Sequence, residues 1–169
     1  MGTPLPRDPI ADARRNWEDH GWAEVAAPMA AITAIMRTQQ ILLARIEVVL
    51  KPFGLTFARY ELLALLSFAR NGSLPMKKAS TLLQVHLTSI TNAVDRLQDA
   101  GLVRRSPHPT DGRTTLVELT SEGRTLAKRS TTALNAEVFS ASGFGPGDID
   151  QLIRILGDFR RNAGDFMDS

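Results

Sequence analysis

The chain has 169 residues, 43% of them hydrophobic and 22% charged, with a formal net charge of +2 and a sequence pI of about 9.4. That is enough chain for one domain with its own core, and the basic pI hints at an acidic partner. With no cysteine, a disulfide framework and a thiolate metal site are excluded, and a cytoplasmic protein is expected. No apolar run reaches the length that crosses a bilayer. The start, MGTPLPRDP, lacks the basic-then-apolar order of a secretory signal.

In chain order, Met1 to Arg7 is proline-rich and reads as irregular. Asp8-Pro9 gives a carboxylate N-cap with proline at the first helical position, predicting a helix over about 9–19. Gly21 is its stop, flanked by Trp17 and Trp22. A long helix is expected over about 28–50, where Ile32, Ile35, Met36, Leu42, Leu43, Ile46, Val49 and Leu50 recur every three or four residues. Pro28 suits a helix start better than an interior. Lys51-Pro52-Phe53-Gly54 breaks that helix, and Thr56 caps the next, which carries Tyr60, Leu62, Leu63, Leu65, Leu66 and Phe68. Asn71-Gly72-Ser73 is a turn. A short helical piece then runs from Leu74 to Leu83, with Lys77 and Lys78 facing solvent and Leu82 and Leu83 packing inward.

Leu87, Ile90, Val94 and Leu97 form an apolar stripe on the following helix. The opposite face offers Thr88, Ser89, Thr91, Asn92, Asp95, Arg96 and Gln98. Small hydroxyls and an amide near a helix N-terminus donate, accept and fit a major groove, and the helix dipole favours phosphate. On pattern alone, a capped and solvated surface helix reads equally well. Gly101 ends this helix. Leu102, Val103 and Arg104 open a strand, and Thr115 to Leu119 form its partner. Pro107 and Pro109 stiffen the outgoing arm, and Asp111-Gly112 is a tight-turn signal that puts Arg113 at or near the tip. An arginine on a thin hairpin can enter a narrow groove, where negative potential is concentrated. In isolation the same residue reads as a solvated loop charge. Thr120-Ser121-Glu122 caps a long helix reaching about Ser140. After a Gly/Pro loop, Asp148 starts a last amphipathic helix bearing Ile149, Leu152, Ile153, Ile155, Leu156 and Phe159, and the tail after Ala163 is expected to fray.

Short helix, turn, polar-faced helix, glycine stop and Asp-Gly hairpin, in that order, give a fold class: mainly α with a small antiparallel β wing, a winged helix-turn-helix. The helices near both chain ends carry more apolar surface than a small monomer usually buries, so a homodimer is expected. His20, His86 and His108 sit in separate elements. With no metal-ligand spacing, phosphate-binding glycine loop or nucleophile motif, no catalytic residue, metal or cofactor is expected.

The segment DRLQDAGLVRRSPHPTDGRTTLVELTSEG, Asp95 to Gly123, closely resembles the signature of the MarR family, bacterial regulators of antibiotic, oxidative and aromatic-compound responses. Asp111 and Arg113, the strand end Leu119-Thr120, and Gly123 match the family's wing pattern. The resemblance extends over about Ile32 to Phe159, including GLTFARYELLALL from Gly54 to Leu66. It implies a single domain over 1–169, with dimerisation helices at about 9–50 and 121–163 around a winged helix-turn-helix DNA-binding lobe at about 55–120. It further implies a repressor released by a small aromatic or phenolic acid ligand, acting on a near-palindromic double-stranded operator, with no membrane partner. On the family pattern, Thr88, Ser89, Thr91 and Asn92 contact bases or their neighbours, Arg113 enters the minor groove and Asp111 holds the wing. Arg96, Arg104 and Arg105 are phosphate candidates, with Arg96 alternatively supporting the wing. Trp17, His20, Trp22, Arg59, Tyr60 and Phe68 are ligand candidates, each also readable as core or surface.

The extra N-terminal helix with Trp17 resembles that of a urate-responsive branch. Where that branch has an arginine one turn later and an acidic residue in the second core helix, this chain has Gly21 and Glu61. Two further departures lie at the helix-turn-helix corner. Gln84 occupies a usual glycine position, where a positive φ would cost roughly 1 kcal/mol. His86 replaces the usual small N-cap, and its imidazole could cap, meet a phosphate or sense pH. A regulator without a small-molecule inducer and a winged-helix protein-interaction module are the alternative functions.

Overall fold

The computed structural model describes residues 4–167. Pro4 to Arg7 form neither helix nor strand; Met1 to Thr3, also expected to be irregular, lie outside the described residues. Asp8 caps α1 (Pro9–Asp19), its carboxylate accepting from the Ile10 amide at 3.0 Å. The chain then turns through Gly21, at φ 85°, into α2 (Ala23–Leu50). α2 begins five residues before the expected start and takes Pro28 into its interior. The proline forfeits the bond that an amide at 28 would give to the Glu24 carbonyl and crowds that carbonyl with its ring. The preceding turn is secured by the Trp22 amide bonding to the Trp17 carbonyl at 2.9 Å, and α1 packs against α2. Tertiary packing thus carries the helix upstream of its proline.

A 3-10 turn at Lys51–Phe53 separates α2 from α3 (Phe57–Phe68), whose N-cap Thr56 accepts from the Arg59 amide at 3.4 Å. In place of a helix from Leu74, the chain first forms strand β1 (Ser73–Pro75), and helix α4 is confined to Met76–Leu83. Three residues carry no readable periodicity. β1 exists because it pairs antiparallel with the distant β3, Leu74 lying opposite Val117.

Helix α5 (Leu87–Asp99) leads through Gly101 to β2 (Val103–Pro107) and β3 (Thr115–Leu119). The sheet is three-stranded, in the order β1-β3-β2, rather than a lone hairpin. Thr120 caps α6 (Ser121–Leu134), which continues through a π turn over Asn135–Phe139. Helix α7 (Pro146–Asn162) starts two residues earlier than expected, with Pro146 in its first turn and the Asp148 carboxylate accepting from the Gly145 amide at 3.3 Å.

The core is one cluster drawn from α2 to α6, the π turn and the sheet, with Leu50, Leu62, Leu63, Leu66, Val94, Val117 and Leu134 fully buried. Two expected core residues are outside it. Leu82 is 52% exposed, because consecutive residues on one turn of α4 diverge and Leu83 takes the inward direction. Leu87 is 45% exposed; as the first residue of α5 it leans toward the helix N-terminus, beyond the reach of the core.

Neither α1 nor α7 buries a residue. Nor does the tail fray at Ala163. The Gly164 amide bonds to the Arg161 carbonyl at 2.9 Å, and the Asp165 amide bonds to the Arg160 carbonyl at 3.0 Å.

Candidate nucleic-acid interface

α4 and α5 meet at a tight corner. Gln84 ends α4 at φ 54°. The Val85 amide returns to the Ser80 carbonyl at 3.2 Å, and the Ser80 hydroxyl donates to the Val85 carbonyl at 2.7 Å. Position 84 thus adopts the left-handed conformation that glycine enters freely. His86 is the N-cap of α5. Its Nδ1 accepts from the Thr88 amide at 3.2 Å and lies 3.0 Å from the Thr88 hydroxyl. An accepting Nδ1 assigns the proton of the neutral ring to Nε2.

Ile90, Val94 and Leu97 anchor α5 in the core. That fixes its other face outward: Thr88, Ser89, Asn92, Asp95, Arg96 and Gln98 are exposed. Thr91 is half-buried and its hydroxyl donates to the Leu87 carbonyl at 3.0 Å, leaving its lone pairs as the external offering.

The wing tip is built around one carboxylate. Asp111 accepts from the Thr114 hydroxyl at 2.6 Å and the Arg113 amide at 3.0 Å, while its carbonyl accepts from the Thr114 amide at 2.9 Å. These two donors, the hydroxyl first, hold its pKa below the ordinary carboxylate value. Arg113 is exposed, and among the described residues its side chain makes no hydrogen bond or ion pair.

The other candidate arginines differ. Arg104 Nε pairs with Glu118 at 2.6 Å, and Ser106 donates to the same carboxylate at 2.5 Å. Ser106, then Arg104, lowers the Glu118 pKa. Arg105 reaches from β2 to α5, bonding Asp95 at 2.5 Å and Gln98 at 3.2 Å. Arg105, rather than Arg96, therefore ties wing to helix; the pair is ten residues apart and on different elements, so no spacing rule exposes it. Gly123, part of the wing pattern, has a steric reason that the sequence does not show. A Cβ there would run into the Leu102 carbonyl oxygen, so the glycine permits α6 to start against the wing's base.

The six ligand candidates do not converge. Trp17, His20 and Trp22 cluster at the α1–α2 corner, with Trp17 and Trp22 edge to face at 5.5 Å and His20 stacked on Trp22 at 6.1 Å. Tyr60 is buried, its hydroxyl 3.1 Å from that of Thr131. Arg59 Nε donates to Thr56 at 3.2 Å, and Phe68 is 81% exposed. A groove of about 1180 Å³ lies elsewhere, between Leu5, Arg7, Arg37, Ile41, Arg45 and Glu137, and none of the six lines it. Glu61 lies on α3, its pKa raised by burial. Among the described residues no His, Cys, Asp and Glu group is placed to hold a metal, and no helix is long and apolar enough to cross a membrane.

Comparison with known proteins agrees with this geometry. The model of the MarR family matches residues 53–114. The crystal structure of Sco5413, a MarR family transcriptional regulator from Streptomyces coelicolor, superposes with a TM-score of 0.76 at 46% identity, covering 84% of this chain and 99% of that one. An uncharacterized HTH-type transcriptional regulator of Mycobacterium leprae, ML2140, is 34% identical over 63% of this chain and 70% of its own length. The HTH-type transcriptional repressor IacR of Pseudomonas putida is 32% identical over 65% of each chain. Matches to two other curated regulators span 60% and 51% of those proteins' length. On the fold, the wing pattern and these relatives together, the chain belongs to the MarR family of transcriptional regulators.

Proposed function

We propose that the chain is a homodimeric, sequence-specific DNA-binding repressor, with 55–120 as the DNA-binding lobe and 9–50 and 121–163 supplying the dimer contacts. The observation that carries this reading is the pairing of α5 with the wing. α5 exposes Thr88, Ser89 and Asn92, and a turn braced by Asp111 exposes Arg113 without a partner among the described residues. Such a pair fits a recognition helix in a major groove and an arginine in the adjacent minor groove. Arg96 adds a phosphate contact, and Arg104 and Arg105 can do so only by sharing or leaving their carboxylates. Two such lobes related by a two-fold axis read half-sites roughly 10 bp apart on a near-palindrome.

Release by a small aromatic or phenolic acid follows the family pattern. Such a ligand acts only by binding one spacing of the two recognition helices better than the other. The scatter of the six candidate ligand residues favours a second reading, a repressor with no inducer.

Selection of duplexes from a random pool, followed by titration at several salt concentrations, tests the DNA reading. The expected result is a near-palindrome bound in preference to random DNA, with Arg113→Ala weakening binding roughly tenfold while leaving thermal unfolding unchanged. Asn92→Ala is expected to relax preference at one position per half-site. Binding without sequence preference, or unchanged affinity for Arg113→Ala, overturns the corresponding part.

A further inference from the structure

The helix-turn-helix corner is held from the far end of the chain. Gln84 adopts φ 54°, a backbone conformation that glycine enters freely and glutamine does not. Its side chain is engaged: Nε2 donates to Asp165 Oδ1 at 2.7 Å and lies 3.4 Å from the Asp165 carbonyl oxygen. The other carboxylate oxygen of Asp165 accepts from Arg160 Nε at 2.6 Å. One carboxylate therefore bridges α7 and the corner that launches α5, with a charge-assisted bond on each side.

The turn presenting Asp165 is itself fixed. Gly164 takes φ 74°, closing the backbone bonds from 164 and 165 back onto α7. The ring of Phe166 lies 5.2 Å from the Arg160 guanidinium and 5.6 Å from that of Arg161. Since α7 buries no residue of its own, this hook is a specific tie between its C-terminal end and the DNA-binding lobe. Gln84 lies two residues before the N-cap of α5, so a restraint on it bears on how α5 enters the lobe.

We propose that the turn Gly164 to Phe166 is an intrachain tether, with Gln84 and Asp165 as positioning residues for the recognition helix. The consequence for DNA rests on the function proposed above. Through this tether, the placement of α7, and of any second copy packed on it, is transmitted to the helix that reads sequence. Glutamine at a glycine position is then a trade, in which a strained backbone is accepted for a side chain that reaches Asp165.

The test uses the full-length protein, Gln84→Gly, Asp165→Ala and the double variant. Amide hydrogen exchange over 84–91 is measured without DNA, and affinity is measured for the duplex selected by the wild type. Each single variant is expected to exchange about three- to tenfold faster at the corner and to bind about three- to tenfold more weakly, the range for losing one partly exposed charge-assisted bond. The double variant is expected to be no worse than either single, because both break one tether. Gln84→Gly also removes backbone strain, so its unfolding temperature is expected to be unchanged or higher while its affinity falls. Simple loss of stability would not produce that split.

Corner exchange equal to wild type in both singles overturns the tether, whatever happens with DNA. Additive losses in the double variant overturn it as well. Faster exchange in the variants of a wild type that prefers no duplex leaves the tether standing and removes the DNA-binding reading.

Discussion

The winged lobe and the flanking helices obey different rules. In the lobe, α3, α5 and the sheet turn their apolar residues inward, Phe68 and Leu87 excepted, and close a core in which Leu62, Leu66, Val94 and Val117 are fully buried. In α2 and α7 the same residue types face out: Ile32 is 60% exposed, Ile153 67% and Phe159 71%. Helices with a polar and an apolar side normally bury the apolar one, and contiguous exposed apolar surface marks a contact site. The lobe closes its core within one chain, whereas α2 outside its C-terminal turns and α7 leave apolar side chains uncovered, and the proposed homodimer would cover them.

The largest expected effect tests that contrast. Ile153→Asp combined with Phe159→Asp places two charges on the apolar side of α7 without touching the core. If a second copy covers this face, the loss is about 3–6 kcal/mol of association, from two buried apolar side chains at roughly 1.5–3 kcal/mol each. Sedimentation should then show monomers at micromolar concentration, with the lobe's unfolding transition retained. A variant that sediments like the wild type breaks the comparison, because the exposed face would be ordinary surface.

A second variant probes the closed side. Gly123→Ala puts a methyl group against the Leu102 carbonyl oxygen, a backbone atom that cannot swing away. Helix α6 must shift off the wing's base, at a cost of about 2–3 kcal/mol in denaturant unfolding. Gly157→Ala, in α7, is the contrast, because a methyl group added there meets no atom of the described residues within 4 Å. It should be neutral or stabilising by up to about 1 kcal/mol in the isolated protomer. Equal losses at the two positions would show that lobe and helix do not differ as described.

Legibility in the sequence follows the same divide between local and distant causes. Asp8, Thr56, Gly101 and Thr120 act within a few residues of themselves, and the elements they bound lie where their chemistry predicts. The turn signal Asp111-Gly112 is equally local, and the bonds from the Arg113 amide to the Asp111 carboxylate and from the Thr114 amide to the Asp111 carbonyl are its direct product. Strand β1 is illegible because its cause is Val117, far along the chain. Pro28 misleads because packing against α1 outweighs the loss of one helical bond. At the site, the outward face of α5 is legible from the inward stripe, except at Leu87, where the helix begins before the core does. The Arg105–Asp95 tie and the Gln84–Asp165 hook are not, since each joins residues that only the fold brings together.

The smallest effect separates the wing from the core by acidity. Asp111 and Glu118 both have lowered pKa values in the fold, the first through Thr114 and Arg113, the second through Ser106 and Arg104. A carboxylate with a depressed folded pKa contributes stability above its unfolded pKa, about 3.9 for Asp and 4.3 for Glu, and loses it as pH falls through the folded value. Acidification below about pH 4 should therefore loosen the 111–114 turn first, while the apolar packing around Leu62 and Leu66 persists. Residue-resolved NMR along an acid titration would register this as early broadening at Arg113 and Thr114, with core signals unchanged. Asp111→Asn keeps an acceptor for the Arg113 amide but has no charge to titrate, so the early step at the tip should vanish. If tip and core signals are lost together in the wild type, the wing is no more separable than the rest of the lobe, and its carboxylates do not brace it independently.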